Sequence, residues 1–204
     1  MKALKRVVGI DLAGVEKRPT GVCLLHSNLK AEVFTLHSTR EILQAVKDFK
    51  PEAVGVDAPL NLPSRGNLRP CDRTLIGRGI RVLPPTLGGM RKLTLRAVKL
   101  KRKLEAQGFK TVECFPGAVR KILKLPGKEK PWQEVLKALE RLNLEFKVKE
   151  TLTIHEVDAI LVALTVSLHL EGLAETIGEP ETGEIVVPRP EALKRLKTYP
   201  KRRK

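Results

Sequence analysis

Two short segments carry the same pattern, Val8-Gly9-Ile10-Asp11 and Val54-Gly55-Val56-Asp57, each an apolar run closed by a carboxylate. Residues two apart in a strand share a face, so Gly9 lies with Asp11 and Gly55 with Asp57, while the valines and Ile10 pack the opposite side. If the two strands are parallel neighbours, they stand ~4.8 Å apart. Both carboxylates then emerge at the same carboxyl edge, where open α/β sheets bind their ligands. Two carboxylates held so close repel and need a shared cation or a shared proton. A hard, oxygen-preferring ion, Mg2+ or Mn2+, is the natural partner. The glycines leave the sheet face open beneath the acids, so that another element can approach.

That element is read from Thr153 to Leu164. Asp158 stands there among apolar residues of a helix that must be largely buried, with His155 one turn earlier on the same side. A charge in such a place is seldom uncompensated. Asp158 either joins the other two acids or pairs with an arginine or a cap. His155 assists proton transfer, stands behind the ligands, or serves as a cap or packing group. Glu113, near the end of the strand VECF, is a fourth acid at the same edge. The candidate metal ligands are therefore Asp11, Asp57 and Asp158, and the candidate catalytic set adds Glu113 and His155.

The elements that must hold these groups read as an opening three-strand antiparallel meander over 6–12, 20–26 and 31–36. A helix follows from Ser38 or Thr39 to Lys50, with Ile42, Leu43, Val46 and Phe49 on one face. A β-branched strand at 53–57 then returns parallel to the meander. From 58 to 90 ten glycines and prolines break regularity, and a loop this long is usually functional or disordered. A basic helix at 91–107, a strand at 111–115, helices near 117–124, 131–142 and 153–169, and a short strand at 184–187 complete the chain. The end, from about 191 to 204, reads as a frayed basic tail. One domain spanning 1–204 with an insertion at 58–90 is the economical organisation.

The charge is lopsided, with 39 Lys and Arg against 23 Asp and Glu for a net +16. Polyanions are attracted to such a chain, and nucleic acid, DNA or RNA, is the expected partner. Residues 65–103 hold twelve cations against the single acid Asp72. Arginine dominates its loop, which suits bidentate phosphate contact. Arg69, Arg73, Arg78, Arg81 and Arg91 are the candidate substrate-binding residues. The three cysteines, Cys23, Cys71 and Cys114, are too far apart for a metal or redox pair. The opening MKALKRVVGID has no apolar signal core, and the longest apolar stretch, 159–170, is too short to span a bilayer. The expectation is a cytoplasmic protein with no membrane partner. Scarce Asn and Gln beside abundant Lys, Arg and Glu follow the thermophile pattern.

The segments GIDLAG, RPTG, GVDAPLNLP, RPCDRTL, VECFPGAVRK, HEVDAILVAL and GEIVVP, in that order over residues 5–190, resemble domain of unknown function 429, a family of predicted RNase H-fold nucleases. The resemblance implies an α/β RNase H-like fold, with a mixed five-stranded sheet of a three-strand meander plus two parallel strands, flanked by helices. It implies acids on the first strand, the fourth strand and a late helix, matching Asp11, Asp57 and Asp158. The RNase H set normally adds an acid on the first helix, where this chain offers Glu41; Glu113 stands as another source of that charge. Arg69 and Asp72 match RPCD of the family and are expected near the site.

The leading expectation is a metal-dependent nuclease. The alternatives are a non-catalytic nucleic-acid binder on the same fold and an ATP-binding protein of the related actin-like superfold, which needs a second copy of the βββαβα unit. No GxxxxGK[ST] occurs, which argues against a P-loop NTPase. With one Trp, one Tyr and five Phe, an aromatic platform for single strands is not expected.

Overall fold

The computed structural model describes residues 5–147 and 151–198. Strands β1 (Val7–Asp11), β2 (Thr20–Leu25) and β3 (Lys30–Leu36) form the antiparallel meander, with Gly9 opposite Cys23 and Val22 opposite Phe34. Helix α1 (Thr39–Phe49) starts at a capping box in which Ser38 and Glu41 satisfy each other's backbone, and it ends with Lys50 in the left-handed region. The chain returns as β4 (Ala53–Val56), parallel to β1 and in register, with Val8 beside Val54 and Gly9 beside Gly55. β5 (Lys110–Glu113) lies parallel on the far side of β4, placing Glu113 beside Val56. A sixth strand, β6 (Glu145–Lys147), pairs parallel with β3. The order is β5-β4-β1-β2-β3-β6. A meander whose first strand is flanked by two successive parallel strands is the RNase H-like arrangement. The expected five strands are all present; β6 has three residues and offers no periodicity to read.

Each face of the sheet carries its own apolar layer. On one side α1 and α3 (Gly88–Glu105) cover Val8, Ile10, Val54 and Val56 with Ile42, Val46, Ala97, Leu100 and Leu104. On the other, α6 (Ile154–Leu170) lies across β1 and β2 and is buried from Glu156 to Leu168. A helix apolar on all sides needs cover on all sides. The sheet supplies one, while α4 (Pro116–Ile122) and α5 (Trp132–Glu140) pack against α6 from elsewhere. Each fully buried Val, Leu or Ile of these layers contributes roughly 1.5–3 kcal/mol. Gly9 and Gly21 permit the approach of α6: a Cβ on Gly9 would collide with the backbone of Ala159 and Ala163, and one on Gly21 with that of His155.

Three segments depart from the sequence reading. The stretch 58–90 is not structureless, because it holds α2 (Pro70–Gly77) and the start of α3. Pro70 occupies the first helical position, and the Asp72 side chain accepts the N–H of Arg69, a start signal hidden among loop-forming residues. The strand expected at 184–187 is β8 (Gly183–Pro188), and its hairpin partner β7 (Ala174–Glu179) was not foreseen. Residues 191–198, assigned to a frayed tail, form α7 (Ala192–Lys197), held by the buried Ala192 and Leu196; the KRRK run lies outside the described residues. The hairpin, α2 and α4 share a small cluster including Cys71, Leu75, Ala118, Ile177 and Ile185. Among the described residues no helix is long and apolar enough to cross a membrane.

Candidate active site

Asp11 ends β1 and Asp57 follows β4, whose ladder is extended by the Asp57 N–H donating to Ile10 O at 2.8 Å. Side-by-side parallel strands in register bring both carboxylates to one edge. The second turn of α6, drawn down onto Gly9 and Gly21, brings Asp158 to the same point. One carboxylate oxygen from each of Asp11, Asp57 and Asp158 lies within 4.8 Å of the others. The three expected ligands therefore converge.

Their surroundings differ. His155 Nδ1 lies 2.8 Å from Asp11 Oδ2, so the histidine is joined to the cluster as a hydrogen-bond partner of a candidate ligand. Asp158 is held on both oxygens, by Arg120 Nη2 at 2.6 Å and by Lys128 Nζ at 2.6 Å. Asp57 alone has no side-chain hydrogen bond or ion pair among the described residues. Burial first, then the charges of Asp11 and Asp158, push its carboxyl well above the usual carboxylate range. Burial also raises Asp11, against the opposing His155 hydrogen bond. That hydrogen bond raises His155 in turn. Burial opposes the charge on Lys128, yet Asp158, with Asp57 and Asp11, lifts its ammonium above the ordinary lysine value.

A divalent cation fits this donor set. All three groups are hard oxygen donors within one ion's reach, and one of them is an acid with no partner of its own. A carboxylate oxygen also has lone pairs to spare for a second partner, so Lys128 and a cation can share Asp158.

Residues 9–182 match the family model described as "Protein of unknown function (DUF429)". The chain belongs to this family. Among solved structures, Thermus thermophilus RuvC in complex with a Holliday junction substrate is similar at 19% identity and a TM-score of 0.48, covering 82% of this chain and 96% of that one. A second structure of Thermus thermophilus RuvC gives 19% identity and a TM-score of 0.47 over the same shares. No curated protein sequence matches.

The RPCD segment of this DUF429 chain lies near the site as expected, with Arg69 and Asp72 lining the same cleft as Asp11 and Asp57, but its arginine has a different role from the one its sequence suggested. Arg69 is 1% exposed and forks between two acids, donating to Glu113 at 2.6 and 2.7 Å and to Asp72 at 2.7 and 3.0 Å. Its guanidinium is fully used in tying α2 to β5, so it is no free phosphate ligand. Glu113 is likewise committed to Arg69 and to the Leu60 N–H, and it stands outside the trio of acids. Burial raises the Glu113 carboxyl while Arg69 opposes. Glu41, the first-helix acid, is spent on its capping box. Arg78 pairs with Glu175 on the surface. Arg73, Arg81 and Arg91 are exposed, with no side-chain partner among the described residues.

A cleft of about 760 Å³ opens above the acids, walled by the 81–93 segment on one side and by α4 and the loop after it on the other. Arg120 and Lys128 both line it and were not foreseen. Arg120 sat in view inside VECFPGAVRK, whereas Lys128, in a loop, gave no sequence signal.

Proposed function

We propose that this protein is a metal-dependent nuclease that hydrolyses phosphodiester bonds of a nucleic acid. The observation that carries the reading is the convergence of Asp11, Asp57 and Asp158 at a cleft that Asp11 and Asp57 line together with Arg81, Arg120, Lys121 and Lys128. Those three residues would hold Mg2+ or Mn2+, which when bound would activate water and stabilise the leaving oxygen. His155 orients the Asp11 carboxylate through Nδ1. Arg120 and Lys128 fix Asp158 and bring positive charge to where a phosphate would lie. Arg120 Nε is buried without an acceptor among the described residues. Exposed Arg81 lines the cleft, and exposed Arg73 and Arg91 add to the positive field of the same basic segment.

One observation favours the alternative of a binder without turnover: Asp158 already has two cationic partners, which compete with a metal ion. The actin-like alternative has no support among the described residues, where β5 is followed by no second meander. The test is a Mn2+ titration by calorimetry on wild type and Asp57→Asn, paired with cleavage assays on duplex, single-stranded, hybrid and branched substrates. Saturable Mn2+ binding that disappears in the variant, with cleavage that follows it, is expected. Nucleic-acid binding with neither metal uptake nor cleavage hands the site to the binder reading.

A further inference from the structure

The acids make up only the floor of their cleft. Much of its wall is apolar, built from Val82, Leu83, Met90, Leu93, Phe115 and Leu125. Leu83 stands 60% exposed, a large aliphatic side chain left facing water at a polyanion-seeking site. Phosphate and sugar gain little from such a wall, and an apolar surface of this kind marks a site with an apolar occupant. The Phe115 ring is laid into it across Gly117, where a Cβ would crowd the ring at 3.0 Å. The volume, about 760 Å³, falls in the range of pockets that engulf a small organic molecule. The rim adds Arg81, exposed and without a partner among the described residues.

A base stacked and paired inside a continuous duplex cannot reach such a wall, whereas an unpaired base can, with its own phosphate above the carboxylates. We infer that the cleft takes one unpaired nucleotide, its base against the Leu83–Phe115 wall and its phosphate between the acids and Arg81. The substrates are then nucleic acids with an unpaired residue, at a bulge, flap, gap or strand end, in preference to continuous duplex. This rests on the nucleic-acid reading above and specifies its substrate. Extracting a base from a stack costs energy that an already unpaired base does not incur, which is the source of the selectivity. A single ring among aliphatic side chains holds one base, consistent with a chain too poor in aromatics to bind a run of them.

The test uses the full chain carrying Asp57→Asn, to keep probes intact, and measures binding by fluorescence anisotropy. The probes are a fully paired duplex, the same duplex with one bulged fluorescent adenine analogue, and the free monophosphate of that analogue. The bulged duplex should bind about tenfold tighter than the paired one, as one base stacked on protein allows, and the analogue's emission should change. Adding Leu83→Asn, at an exposed position, should erase the preference while leaving paired-duplex affinity and the melting temperature unchanged. If the free monophosphate binds as tightly as the bulge, the pocket stands and its nucleotide comes free in solution. Equal affinity for paired and bulged duplex overturns the inference but leaves the nucleic-acid reading intact, as does a preference that survives Leu83→Asn. Failure to bind any probe removes both.

Discussion

Asp57 is the residue on which the site turns, because it is the only one of the three converging acids without a partner. An acid whose value is raised on folding binds more protons folded than unfolded between its ordinary range and the raised one. Stability is therefore lost as pH climbs through that window, and the cost is complete above it. Asp57→Asn removes the cost. The variant should match wild type in acid and exceed it at neutral pH without metal, by about 1 kcal/mol or 2–4 °C in melting temperature. Added Mn2+ should stabilise wild type and not the variant. A metal-free variant that melts lower at neutral pH would mean that Asp57 anchors the fold. Arg69 shows the limit of reading single residues. An arginine near acids in a basic loop looks the same in sequence whether it awaits a phosphate or is locked in an ion pair. Only the meeting of the start of α2 with the end of β5 buries its guanidinium between Glu113 and Asp72.

At the scale of elements, the site is the product of one close approach. α6 delivers Asp158 and His155 because β1 and β2 present glycine where it crosses them, and the obstacles to any larger residue are helix backbone, which cannot swing aside. Gly9→Ala should therefore destabilise the protein by about 1–3 kcal/mol or more and weaken Mn2+ binding along with it. Chemical denaturation beside calorimetric titration reads both effects, and an unchanged midpoint would show that α6 is held elsewhere. Gly55→Ala should be milder, since its Cβ would meet the Val162 and Val166 side chains at 2.6 and 2.5 Å and these can adjust.

At the scale of the whole molecule, the net charge of +16 attracts polyanions on electrostatic grounds, while the pairing of each cation decides which of them are left to meet one in the proposed function. Arg81→Gln and Arg73→Gln should each lower the slope of log K against log salt by about 0.9 if each loses one phosphate contact. Arg78→Gln should change it less, because its charge already faces Glu175. Equal slopes for all three variants and wild type would reduce the basic segment to solvated surface.

Much of the architecture was legible in the sequence because it depends on periodicity and on local signals. The twin VGID and VGVD strands, the meander and the buried late helix all announce themselves by spacing, and with them the trio Asp11, Asp57 and Asp158. Elements too short or too punctuated for periodicity, β6, β7 and α2, were not legible. Neither was the division of labour among charged groups. Glu113, the fourth acid at the same edge, lines the cleft and is also the counter-ion of Arg69; Lys128, from an unremarkable loop, lies on Asp158. Strand edges and helix faces follow from neighbours along the chain. Which cation meets which acid depends on segments far apart in sequence meeting in space, and tertiary structure alone decides it.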